Sequence, residues 1–144
     1  MKKLLLTILV VIILPFTGCI DNSIHHWSFA YDVDDVKEIK LIDSNGDFTY
    51  SIIKELDISL AEEVYSDIIS LEMTRYGTNL SDPYGICFLI VFDSGEYDII
   101  ARQESKHYRY SGDEILSYNS WLRCNEDEFN ALVDKYLPLG QTYY

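Results

Sequence analysis

Ile86-Cys87-Phe88-Leu89-Ile90-Val91-Phe92 is a run of seven apolar residues, rich in β-branched and aromatic side chains, that begins after Gly85 and stops at Asp93-Ser94-Gly95. Seven residues is the length of a strand rather than of a helix, and a strand that is apolar at every position has both faces buried. Side chains alternate across a strand. Ile86, Phe88, Ile90 and Phe92 therefore point one way, and Cys87, Leu89 and Val91 the other. The Asp-Ser-Gly turn returns the chain through Glu96–Gln103, which makes a β-hairpin the centre of the protein.

Upstream, Trp27, Phe29 and Tyr31 alternate with Ser28, Ala30 and Asp32, the pattern of a first strand. Val36–Ile42 reads as another, with Ile39 and Leu41 on one face. Asn45-Gly46 follows, a pair that tolerates positive φ and so marks a hairpin. Phe48–Ile53 is the return strand, with Phe48, Tyr50 and Ile52 sharing a face. Ser59-Leu60-Ala61-Glu62 has the form of a capping box, and Leu60, Ala61, Val64, Tyr65, Ile68 and Ile69 then recur at helical spacing. Glu62, Glu63, Ser66, Asp67 and Ser70 fill the opposite face.

Leu71–Tyr76 alternates like a strand, Gly77–Gly85 is a loop, and His107-Tyr108-Arg109-Tyr110 is a further short strand. Glu114–Trp121 reads as a short strand or an irregular crossing. Asn125 caps a second helix whose buried stripe is Phe129, Leu132, Val133, Tyr136 and Leu137, and Pro138 ends it. The fold class expected is α+β: a single antiparallel β-sheet of about five to seven strands, with two amphipathic helices packed on one face. Residues 27–138 form one domain, and 139–144 are a loose tail. Two helices with single stripes cover one sheet face only. The Leu89 and Val91 face then needs a cover of its own: the Trp27–Tyr31 segment, a second subunit or a partner.

The chain opens with Lys2 and Lys3, followed by an almost wholly apolar run from Leu4 to Phe16. That run is short of the roughly 20 residues that span a bilayer core, and it fits the core of a signal peptide. It ends in Phe16-Thr17-Gly18-Cys19, which resembles the lipobox of bacterial lipoproteins and departs from it at Phe16, where Leu is usual. The resemblance covers residues 1–19 alone and says nothing of the domain. It implies cleavage of a signal peptide 1–18, a diacylglycerol on the Cys19 thiol, and a place on the extracytoplasmic side of the cell membrane. Residues 19–26 would be a short tether, seven residues beyond Cys19 reaching at most about 25 Å.

Without Lys2 and Lys3, nine basic residues face 24 acidic ones, a formal charge of −15 on residues 19–144. Nucleic acid, whose binding rests on basic side chains neutralising phosphates, is excluded as a partner. The charge also argues against a domain lying flat on anionic lipid. A cationic protein partner is compatible with the charge, and so is solubility alone.

Cys87 and Cys124 are the cysteines beyond Cys19; export permits a disulfide between them, and a buried thiol at Cys87 is equally ordinary. No spacing suggests a metal or a cofactor. His25 and His26 fall in the tether, with nothing expected to orient them. His107 or Cys124 would be the nucleophile or base of a small hydrolase if the fold brought them together. Twelve tyrosines are many for this length, and Tyr97, Tyr108, Tyr110, Tyr118 and Trp121 gather in the C-terminal half. Rings with a polar tip suit a partner-binding surface, or else they fill a thin core. The leading expectation is a non-catalytic protein-binding module. An acidic inhibitor or immunity-type protein against a cationic toxin or wall hydrolase comes second, and a hydrolase third.

The lipid anchor has a direct test. Mass spectrometry of the mature N-terminus is expected to find a chain that starts at a diacylglyceryl-modified Cys19. An unmodified Cys19, or a start elsewhere, overturns it.

Overall fold

A computed structural model of the chain describes residues 23–46, 49–75, 83–101, 107–112, 114–118 and 122–137. The expected signal peptide 1–18, Cys19, Trp121 and the expected tail 139–144 lie outside them. The apolar run forms β4 (Tyr84–Phe92), which lies between β1 (Val36–Asn45) and β5 (Glu96–Ala101). β2 (Tyr50–Leu56), β6 (His107–Ser111) and β7 (Glu114–Tyr118) complete a six-stranded antiparallel sheet in the order β2-β1-β4-β5-β6-β7. Sheet and helices together are α+β. A second, two-stranded antiparallel sheet departs from the expected single one: β3 (Met73–Arg75) pairs with β8 (Leu122–Cys124).

The alternation in β4 divides the core in two. Ile86, Phe88, Ile90 and Phe92 join one buried cluster with the stripes of α1 (Ala61–Ser70) and α2 (Glu126–Tyr136). Phe88 meets Phe129 and Tyr136 edge-on, at centroid distances of 6.2 and 5.8 Å. Cys87 and Leu89 belong to a second cluster on the opposite face, with Ile42, Ile99, Ala101 and Tyr110. That face is buried within the single chain, Leu89 being 2% exposed. The Trp27–Tyr31 segment is not its cover, because Trp27, Phe29 and Tyr31 pack in the helix-side cluster. Nor is that segment a strand: apart from a single bridge at His25, residues 23–32 form no ladder.

β2 carries its residues differently from the simple alternation. Its register against β1 shifts between Leu41 and Ile42, so an extra residue enters there. After the shift Ile53 and Leu56 reach the helix-side core, while Tyr50 and Ile52 are exposed.

The start of α1 also differs. Asp57 rather than Ser59 caps this end, its carboxylate accepting the Ser59 N–H at 2.9 Å. That hydrogen bond holds the Asp57 carboxyl below its usual range. The chain tightens through a 3₁₀ turn at Ile58–Leu60 before the α-helix begins at Ala61, which leaves Ser59 too early to cap it. α2 is capped as expected, Asn125 Oδ1 accepting the N–H groups of Asp127 and Glu128 at 2.8 and 3.4 Å. The two helices are joined through Lys135, whose Nζ lies 2.7 Å from Glu63 and 2.6 Å from Asp67, and the Tyr136 hydroxyl donates to Asp67 at 2.6 Å.

Because the Leu89 face is closed within one chain, shortening Leu89 should act on folding alone. Leu89→Ala is expected to lower unfolding stability by roughly 2–5 kcal/mol. Sedimentation should show no change in oligomeric state. Dissociation of an oligomer in place of lost monomer stability would reverse the assignment.

Candidate functional site

Of the aromatic residues expected either to form a partner surface or to fill the core, Tyr97 and Tyr110 fill the core. Tyr97 and Tyr110 stack at 5.0 Å on the inner side of the second cluster, and Tyr110 is 0% exposed. Tyr110 is therefore a core residue, and Tyr97 is half-buried with its hydroxyl donating to the Gly112 carbonyl at 2.6 Å. The cause is the closed second face, which needs large rings to fill it. Tyr108 lies opposite Tyr118 and Ile99 in the β-ladder, and Trp121 lies outside the described residues. His107 opens β6 opposite Ile100, in the large sheet, whereas Cys124 ends β8 in the small one.

No disulfide joins Cys87 to Cys124. The sheet separates them, Cys87 packing in the second cluster and Cys124 in the helix-side cluster. Cys87 donates its thiol to the Gly85 carbonyl at 3.3 Å. Among the described residues, no three His, Cys, Asp or Glu side chains converge as a metal site.

The two tether histidines are held, contrary to expectation. His25 exchanges backbone hydrogen bonds with Met73, both at 2.9 Å. His26 Nδ1 lies 2.9 and 3.2 Å from the carbonyls of Ile69 and Leu71, so two acceptors place the proton on Nδ1. The domain thus begins before Trp27. The carbonyls at the C-terminal end of α1 lack helical partners, and His26 supplies one.

After His26 the chain runs along the helix side of the sheet and is clasped from below. Asp98 on β5 is 0% exposed and faces Arg109, its register partner on β6. Arg109 grips it with two bonds, Nε to Oδ1 at 2.8 Å and Nη2 to Oδ2 at 3.1 Å. The same guanidinium donates to the Ser28 carbonyl at 3.2 Å and lies 5.8 Å from the centre of the Trp27 ring. One cation thus ties the N-terminal segment to the sheet. Further along, the Tyr31 hydroxyl donates to Glu96 at 2.7 Å, and its ring meets Phe92 at 4.8 Å. Burial pushes the Asp98 carboxyl above its usual range; the Arg109 bonds pull it back in part, and Glu96 pushes it up further.

Between this segment and α1 lies an open groove of about 620 Å³. Trp27, Ser28, Phe29, Tyr31, Asp32 and Val33 form one wall, and Glu62, Tyr65, Ser66 and Ile69 the other. The four helix residues share one face by their spacing. Phe29 stacks on Tyr65 at 3.8 Å and sets Trp27 edge-on at 5.9 Å. Asp32 and Glu62 are both exposed. The Tyr65 hydroxyl is buried without a hydrogen-bond partner. Burial and the charges of Asp98 and Asp35 push the phenol pKa up, so it stays protonated.

An aromatic trough with a carboxylate on each wall can bind and orient a ligand. The sequence offered a partial sign, the alternation of Trp27, Phe29 and Tyr31 before Asp32. That segment reads as a strand in the sequence, and the α1 wall takes Tyr65 and Ile69 from the helix's apolar stripe and Glu62 and Ser66 from its opposite face.

No protein-family model matches this sequence, and no curated protein and no solved structure is detectably similar to it.

The clasp makes a pH-dependent prediction. Arg109→Met leaves Asp98 as a buried charge without its partner and is expected to cost about 3–5 kcal/mol at pH 7. Asp98 has a raised folded pKa, so its contribution to stability is complete at acid pH and is lost as pH rises through that pKa. Without Arg109 the rise is larger. Urea midpoints should therefore show the penalty shrinking between pH 7 and acid pH, and Asp98→Asn added to Arg109→Met should recover most of it. A penalty that grows on acidification would contradict the assignment.

Proposed function

We propose that this chain is a lipid-anchored binding protein of the cell envelope. Cys19 holds it on the extracytoplasmic face of the membrane, and the groove between residues 27–33 and α1 receives a protein partner. The groove is the observation that carries the reading: four aromatic rings line an open trough next to the point where the chain leaves the anchor. Aromatic side chains supply large contact area at low entropic cost and recur at the centres of interfaces. Among the described residues no helix is long and apolar enough to cross a membrane, which has no bearing on a lipid anchor.

The inhibitor or immunity-type reading is the second one. Asp32 and Glu62 at the groove, on a chain of formal charge −13, favour a cationic target. The hydrolase reading has less support. Cys124 is 3% exposed within an apolar cluster, where a cysteine is inert, and its strand belongs to a different sheet from that of His107.

A photo-crosslinking residue at Ile69, which is exposed on the groove wall, tests the reading in intact cells. The same residue at Tyr84, exposed at the far end of β4 from Phe92, is the control. The expected result is one discrete adduct from position 69, none from 84, and at least about a tenfold loss with Phe29→Ala, the change expected on removing one interface anchor. No adduct at 69, or equal adducts at both positions, overturns it.

A further inference from the structure

We propose that the groove recognises an arginine side chain of the partner. This rests on the reading of the groove as the partner's docking site and names the chemistry it takes. Among the described residues its lining holds two carboxylates, Asp32 on one side and Glu62 on the other, and no Lys or Arg. Between them lie flat rings, Phe29 stacked on Tyr65 and Trp27 edge-on to Phe29. A guanidinium is planar, weakly hydrated and forked, so it stacks on rings while donating to carboxylates.

The protein already uses this arrangement one layer down. Arg109 lies near the Trp27 ring with its fork on Asp98 and a further bond to the Ser28 carbonyl. The groove sets the half-buried rings of Phe29 and Tyr31 beside the exposed carboxylates of Asp32 and Glu62.

A separate observation points the same way. Tyr65 lines the groove, is 7% exposed, and its hydroxyl has no hydrogen-bond partner. A buried hydroxyl left unpaired is unfavourable, and it is an acceptor as well as a donor. Asp98, Asp35 and Asp32 make the potential around it negative, offset in part by Arg109. The hydroxyl itself is enclosed, so it is the negative potential at this wall that favours an incoming cation. The formal charge of the chain, −13, draws such a group toward the surface in the first place.

The test uses the full chain, isotope-labelled and purified in detergent, with N-acetylarginine amide as the probe. N-acetylcitrulline amide, its neutral isostere, is the comparison. Single-side-chain contacts are weak, so binding is expected in the roughly millimolar range. The expected result is saturable shifts of amide resonances in residues 27–33 and 62–69, at least about tenfold tighter for arginine than for citrulline. Asp32→Asn with Glu62→Gln, both at exposed positions, should remove that preference without unfolding the protein. Added salt should weaken the arginine probe and leave citrulline unchanged. Equal affinity for the two probes, no saturable shift with either, or shifts centred on the acidic residues between α1 and α2 would each overturn the proposal. If Ile69 still captures a partner in cells while the arginine preference is absent, the docking site stands and its cationic specificity falls. If arginine binds and Ile69 captures nothing, the groove keeps its chemistry and loses its protein partner.

Discussion

A strand with apolar side chains on both faces cannot sit at an edge or on a surface. β4 is that strand, and most of the architecture follows from covering it. Its backbone is satisfied by β1 on one side and β5 on the other, in registers that place Leu89 between Lys40 and Ile99. Each large side chain buried there contributes about 1.5–3 kcal/mol. The two helices close one face, and the other holds the rings of Tyr97 and Tyr110 and the aliphatic chains of Ile42 and Ile99. What looks in sequence like a surplus of tyrosine is in part the material that fills the second face.

The N-terminal segment is built on a different principle. It adds no strand to the sheet and is held at points: a backbone bridge at His25, a histidine on helix carbonyls, an arginine fork and a tyrosine hydroxyl. Between such points Trp27 packs into the helix-side core, while Phe29 and Tyr31 stay half-buried at its edge. The groove exists because this segment lies beside α1 without pairing. The same Arg109 that neutralises Asp98 in the interior shapes the wall, so core electrostatics and groove geometry are linked through one side chain.

The parts that were legible in the sequence are those set by local pattern. The length and composition of Ile86–Phe92, the turn at Asp93-Ser94-Gly95 and the helical stripes each depend on neighbours within a few residues. The misreadings came from longer range. One extra residue on β2, Ile53, opposite the step from Leu41 to Ile42, turned Tyr50 and Ile52 away from the face that Leu56 occupies, and no propensity signals such a bulge. β3 falls within the strand expected at Leu71–Tyr76, whereas its three-residue partner β8, which exists through that pairing, carried no local signal. Tyr110 was left open between surface and core because its burial depends on the second cluster, which draws on several strands. The Asp98–Arg109 pair was invisible as a unit until β5 and β6 set the two residues opposite. The groove draws on residues some thirty apart along the chain, whose meeting depends on where Arg109 holds Ser28.

The bridge at His25 matters most when set beside the proposed anchor. From Cys19 to His25 the chain can extend at most roughly 20 Å. The groove begins two residues later, at Trp27. Most tethered domains sample a wide volume; this one would be pinned at its rim, with its trough near the height of the lipid headgroups. Encounter with a partner rooted in the same leaflet then becomes a search across a surface rather than through a volume. A contact with millimolar affinity in solution can be well occupied in that setting, because a short leash sets a high effective concentration. The groove therefore has no need of depth.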